Sequence, residues 1–252
     1  MKAPSILQLK RLMELVRYVI FPDYSDVPAW TNGTEAIRAI LAEQLATIST
    51  ITNPQQMAND FVSALPEISR LLHTDADAVL HRDPAVSSMQ EVILCYPVVQ
   101  AMIHHRTAHR LHKQGVPIIP RVIAEMAHSA TGIDIHPAAQ IGEYFSIDHG
   151  TGVVIGATSI IGRHVMLYQG VTLGAKNFNY DERGIPIDEP RHPILEDHVT
   201  VYSNTSILGR VRIGHHTVVG GNVWLTHNVP AHSRVLQSQA IEQPYFHDGA
   251  GI

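Results

Sequence analysis

Between Ser5 and about His128 the apolar residues recur at helical spacing, as in Leu7, Leu12, Leu15, Val16 and Ile20, or Ile37, Ile40, Leu41 and Leu45. That period puts an apolar stripe on one side of each of several amphipathic helices. Breaks at Pro22, Asn32-Gly33, Asn53-Pro54, Asp83-Pro84, Pro97 and residues 115–120 divide the segment into about six or seven short helices. Met1 to Phe21 has the outline of a signal peptide, but Lys10, Arg11, Glu14 and Arg17 interrupt it well short of the ~18 apolar residues a membrane span needs. It reads as the first amphipathic helix of a cytoplasmic protein.

After Gly132 the step becomes six. Aliphatic residues stand at Ile135, Ile141, Ile147 and Val153, then at Ile155, Ile161, Leu167 and Leu173, and again at Leu195, Val201, Ile207, Ile213, Val219 and Leu225. No helix produces that spacing. Four residues after most of these stands a small or β-branched residue, such as Ala139, Ser159, Val165, Val171, Val199, Thr205, Val211 and Thr217. Glycine often follows the aliphatic, at 142, 156, 162, 174, 214 and 220, where a turn between flat faces is expected to need positive φ. A six-residue period marks a β-helix, in which three hexapeptides close one triangular coil of about eighteen residues. The fold class is therefore α+β: a helical domain over residues 1–130, a parallel β-helix over 131–236 and a flexible tail over 237–252.

The phase breaks between Leu173 and Leu195, read as one coil of eighteen plus four. Residues 175–191 are rich in charge and proline and carry no aliphatic in register, so they form a loop ejected from one corner. Loops on a rigid solenoid are common places for binding chemistry, and this one ends in Arg191-His192.

Composition narrows the function. Of 252 residues only 16% are charged and 17 are histidine, while 18 Lys plus Arg against 23 Asp plus Glu leave a net charge of −5. With no basic excess to displace counterions, a general nucleic-acid binder is excluded, and no segment suits a membrane. Cys95 is the only cysteine, which rules out an internal disulfide and suits a reducing compartment.

Five motifs then fall in a specific order: Arg82-Asp83-Pro84-Ala85-Val86, Asp134-Ile135-His136-Pro137, Ile147-Asp148-His149 before Gly150-Thr151-Gly152, Val171-Thr172-Leu173-Gly174, and Arg191-His192-Pro193. Over roughly residues 80–230 the chain resembles the serine acetyltransferases, hexapeptide-repeat enzymes of cysteine biosynthesis. The resemblance implies that the β-helix is left-handed, against the general preference for right-handed crossovers. It also implies a homotrimer or a dimer of trimers. Its expected activity is transfer of acetyl from acetyl-CoA to the hydroxyl of L-serine, without a metal.

That transfer needs a base for the hydroxyl proton, and imidazole titrates in the right range. By the resemblance His149 is the base, and Asp134 holds the ring and stabilises its protonated form. The fifteen residues between them approach one coil, so neighbouring coils bring them together. Asp83 and Asp148 are the positions that hold the serine ammonium, and Arg191 with His192 those that face its carboxylate, as a zwitterion requires. Acetyl-CoA is expected along a groove between subunits, on main-chain groups near Gly174, Ala175 and Ser203, with Lys176, Arg183, Arg210 and Arg212 as local positive charge. The final Gly251-Ile252 is like the terminus with which the family docks O-acetylserine sulfhydrylase.

The chain departs from the family in its longer loop from Ala175, in Ala157 where Glu is common, and in lacking a terminal Gly-Val-Pro-Ala-Arg element.

Three other readings compete. His192, His227 and His232 nearly reproduce the zinc ligands of γ-class carbonic anhydrases, but the first spacing is one residue short of two coils, and such a slip turns a side chain to the opposite face. His105, His109 and His112 share a helix face with metal-binding spacing, or simply pack there. A silent scaffold is the third, opposed by the joint presence of Asp134, Asp148, His149 and Arg191.

Overall fold

The computed structural model describes residues 3–24 and 32–238. The expected tail over 237–252, with Ile252 and its docking role, lies almost wholly outside them. Among the described residues six α-helices precede fourteen short strands. The helices are α1 (Ile6–Ile20), α2 (Gly33–Ala46), α3 (Pro54–Arg82), α4 (Met89–Cys95), α5 (Pro97–Lys113) and α6 (Ile119–Thr131). No helix among these residues is long and apolar enough to cross a membrane.

The breaks fall where the prolines and Asn-Gly placed them, with two differences. Helix α3 runs for 29 residues, far from short, and carries Pro66 in its interior. Leu7 lies off the buried stripe of α1, which is formed by Leu9, Leu12, Leu15, Val16 and Ile20. Pro84 disfavours helical geometry at the residue before it, and Asp83 accordingly caps α3 with extended backbone. Helix α6 ends at Gly132 in left-handed geometry, its N–H donating to His128 O at 2.8 Å. The chain passes there into the coils.

Three parallel faces build the solenoid. The first stacks Asp134–Ile135, Val154–Ile155, Thr172–Gly174, Ser206–Leu208 and Trp224–Leu225. The second stacks Gln140–Ile141, Ile160–Ile161, Ile194–Leu195 and Arg212–Ile213. The third stacks Ser146–Asp148, Met166–Tyr168, Thr200–Val201, Val218–Val219 and Arg234–Val235. Columns such as Ile135, Ile155, Leu173, Ile207 and Leu225 point inward and are buried. Each such side chain contributes about 1.5–3 kcal/mol by leaving water.

The register corrects the coil arithmetic. Val154 pairs with Thr172 eighteen positions on, as expected, but Asp134 pairs with Val154 at twenty, because residues 150–152 add two at the corner. Thr172 pairs with Ser206 at thirty-four, so the ejected loop adds sixteen residues to one coil. The glycine expectation also changes. Gly142, Gly156, Gly162, Gly174, Gly214 and Gly220 do not have positive φ; that geometry belongs to Gly150, Gly152, Gly170, Gly209 and several His and Asn residues. Most of the six are small because coils stack closely: a Cβ on Gly142 would lie 2.7 Å from Gly162 O.

A buried ion pair fixes the helices on the first coil. Arg106 on α5 donates to both carboxylate oxygens of Asp75 on α3 at 2.7 and 2.8 Å, and to the carbonyls of Ile141 and Gly142. Removing one partner of such a pair costs about 3–5 kcal/mol. The clamp holds the C-terminal end of α3, and with it Asp83, over the coil.

Candidate active site

Two groups of the expected residues assemble on different corners of the solenoid. Where the third face turns into the first, Asp148 ends its strand and His149 occupies the left-handed corner position with φ 56°. The His149 ring is 74% exposed, and its Nε2 lies 4.0 Å from Asp148 Oδ1. Asp83 belongs to the same group, its carboxylate feeling the His149 charge. Tyr96 donates its hydroxyl to Asp83 Oδ2 at 2.7 Å, and Ala85 N–H donates to Oδ1 at 2.8 Å. These bonds, the tyrosine's first, hold the Asp83 carboxyl below the usual carboxylate range. The same bond pushes the Tyr96 phenol up to about 12. Tyr168, in register with Asp148, is raised as well, chiefly by burial. The corner thus offers anions beside an accessible imidazole.

Asp134 lies on the neighbouring rung. Its N–H donates to Val153 O at 2.9 Å, and Gly152 N–H donates to Gly132 O, so residues 132–134 run alongside the His149 turn. The carboxylate does not reach the ring within 4.0 Å. Arg121 on α6 lies 3.9 Å from its Oδ1, and Glu125 and His128 bring donor atoms within 4.8 Å of it.

Arg191 and His192 sit where the first face turns into the second. Thr158 Oγ1 accepts from the Arg191 and His192 N–H groups at 2.9 and 3.0 Å, and Thr158 N–H donates to His192 Nδ1 at 3.1 Å. An Arg210 guanidinium nitrogen bridges Thr158 O and His192 O at 2.6 and 3.0 Å. Gly156 leaves the room that the His192 ring fills. Burial, with Arg191, His136 and Arg210 nearby, pushes the His192 imidazole down to about 4, so it is neutral at physiological pH. Arg191 lies over the Phe178 ring at 5.6 Å, and its buried Nε has no protein partner. Its Nη1 donates to Glu189 O at 3.3 Å and lies 3.8 Å from Asp188 Oδ1 in the exposed loop, a pairing that a substrate carboxylate must displace.

The residues expected near the donor divide similarly. Gly174 and Ala175 enter the loop at the Arg191 corner, while Ser203 lies at the His149 corner. Arg210 and Arg212 are engaged, the latter with Glu196 at 2.8 Å, and are not free phosphate ligands.

The rival histidine sets do not assemble. His227 and His232 lie at different corners, and neither set of three brings its ring nitrogens within 4.8 Å of one another. His105 is buried against His109, whose Nδ1 lies 2.8 Å from Pro137 O, so both pack the helix onto the coil. Sequence reasoning missed Tyr96 and Thr158, which act through neighbours distant in the chain; no motif signalled either.

A helical domain set on a hexapeptide-repeat solenoid, with acids beside an imidazole at one corner and a cation at another, defines the hexapeptide acyltransferase class. The model for the N-terminal domain of serine acetyltransferase matches residues 25–117. A plasmid-borne serine acetyltransferase of Synechococcus elongatus is 48% identical over 88% of this chain and 67% of its own length. The Bacillus licheniformis serine acetyltransferase is 41% identical over 66% of this chain and 74% of its own. Among solved structures, Entamoeba histolytica serine acetyltransferase isoform 3 in complex with cysteine is 32% identical with a TM-score of 0.79, covering 98% of this chain and 86% of that one. Serine acetyltransferase 1 of the same organism in complex with L-cysteine is 34% identical with a TM-score of 0.82, covering 89% and 86%. The chain belongs to the serine acetyltransferase family.

Proposed function

We propose that this chain transfers acetyl from acetyl-CoA to the hydroxyl of L-serine, giving O-acetylserine for cysteine biosynthesis, with His149 as general base. The serine Oγ–H gives its proton to the imidazole as the oxygen attacks the thioester carbonyl. The tetrahedral intermediate then collapses with cleavage of the C–S bond, and the imidazolium returns the proton to the CoA thiolate. No acyl-enzyme is formed. The observation that carries the reading is the convergence of Asp83, Asp148 and His149, which sets a carboxylate bonded by Tyr96 beside an exposed ring. Asp83 and Asp148 hold the serine ammonium. Asp134, one rung away, takes the ring's other nitrogen after a side-chain turn away from Arg121.

Arg191 and His192 stand at the opposite edge of the first face from His149, so one chain presents two half-sites. A three-fold assembly packing first faces together sets the Arg191 corner of one protomer against the His149 corner of the next. Val154 and Trp224 support this, since both point outward from that face and Trp224 is 71% exposed. Gly174 and Ala175 of one subunit then meet Ser203 of its neighbour, forming the groove for acetyl-CoA.

The direct test is thiol release from acetyl-CoA with and without serine. His149→Ala is expected to lower serine-dependent turnover by about 10² to 10⁴ with folding intact. Near-normal turnover in that variant removes the assignment.

A further inference from the structure

Tyr168 and Tyr202 take no part in the proton transfer, yet they continue the column that Asp148 begins. Asp148 pairs with Tyr168 on the next rung, and the strand Met166–Tyr168 lies between Ser146–Asp148 on one side and Thr200–Val201 on the other. The residue before each member of the column, Ile147, Leu167 or Val201, is buried in the core. Asp148, Tyr168 and Tyr202 therefore leave the third face outward, at its edge beside the His149 corner. The Tyr168 and Tyr202 rings stack with centres 4.7 Å apart and planes 14° from parallel. Tyr202 thus covers one face of the Tyr168 ring, and the other face is turned to the rung that carries Asp148.

The charges around that second face are of one sign. Burial holds the Tyr168 phenol above the usual tyrosine range, and Tyr202, Asp148 and Asp83 raise it further. The Tyr96 hydroxyl, bonded to Asp83, feels Asp148 as well, so two carboxylates and two phenols form one cluster. Arg82 is the cation that reaches Tyr168, but it donates to His164 O at 2.8 Å and does not lie over the ring. An aromatic face is the negative side of the ring's quadrupole. Facing two carboxylates, it leaves a space whose electrostatics reject an anion and favour a cation.

We propose that Tyr168 is a specificity-determining residue for the acceptor: the open face of its ring receives the α-ammonium that Asp83 and Asp148 hold. The inference rests on the acetyl-transfer reading and adds the contact by which an amino acid is told from a hydroxy acid. The ring face makes that contact, not the hydroxyl, and Tyr202 fixes the angle of the ring from behind. The carboxylate end of the acceptor, at Arg191, is unaffected by it.

The test measures thiol release from acetyl-CoA by the full-length chain, with L-serine as acceptor and 3-hydroxypropionate, the same skeleton without the ammonium, as competitive inhibitor. Tyr168→Phe keeps the ring face and is expected to hold the serine KM within about twofold. Tyr168→Leu removes it and is expected to raise the serine KM about tenfold, with kcat changed far less and the inhibition constant of 3-hydroxypropionate unchanged. Tyr168→Met, closer in length to tyrosine, carries the same comparison where the leucine variant has a lowered thermal midpoint. An unchanged serine KM in the Leu and Met variants, or an equal weakening of 3-hydroxypropionate, overturns the role of Tyr168 and leaves acetyl transfer standing. Absence of serine-dependent thiol release from the unaltered chain overturns the transfer and this contact with it.

Discussion

Tyr96 shows how a single hydroxyl sets the charge of the proposed acceptor site. Its bond to Asp83 keeps that carboxylate ionised, the form that grips an ammonium. Tyr96→Phe removes a hydrogen bond to a charged group, worth about 1.5–3 kcal/mol. It is expected to raise the serine KM about tenfold while changing kcat far less, as steady-state assays across serine concentration will show. The place of Asp83 at the end of α3 was readable from the Arg-Asp-Pro motif, because Pro84 disfavours helix at the residue before it, whereas its ligand role came from the family resemblance. Tyr96 was not, since it sits in an ordinary helix boundary and acquires its role only when α4 folds back on α3. Asp134 was legible as a neighbour of His149 along the coil, but its side-chain choice between Arg121 and the ring depends on α6, which the spacing does not describe.

Among elements, the coils were the most legible part, because an inward side chain every sixth residue has no other explanation. Their glycines were misread, since a sequence does not distinguish a need for positive φ from a need for space. The structure separates two cases. Gly142→Ala drives a Cβ into the backbone of the next coil and is expected to lower the thermal midpoint, followed by circular dichroism. Gly156→Ala drives a Cβ into the buried His192 ring that Thr158 holds, so the expected result is a displaced ring, a raised serine KM and a lowered thermal midpoint as well. The loop arithmetic failed for a related reason: corners absorb extra residues without disturbing the ladder, as at residues 150–152.

For the molecule as a whole, the proposed three-fold assembly, with its candidate site divided between two corners, makes activity a property of the oligomer. His149→Ala and Arg191→Ala chains, each nearly inactive alone, are expected to recover serine-dependent thiol release when unfolded together and refolded as mixed oligomers. A mixture that stays inactive argues for sites complete within one chain. Acid stability is a second whole-molecule property. Burial lowers the titration of His104, His105, His109, His136 and His192, the last to about 4, so the unfolded chain binds more protons than the folded one below pH 6.5. Stability is expected to hold above that pH and to fall as pH drops toward 4, measurable as a declining midpoint in thermal melts.

Because Thr172 still pairs with Ser206 across the sixteen-residue excursion, the finger that carries Phe178 beneath Arg191 is an interchangeable cassette. Its length and tip can be rewritten without re-threading a single rung, so the surroundings of Arg191 can change while the scaffold stays constant.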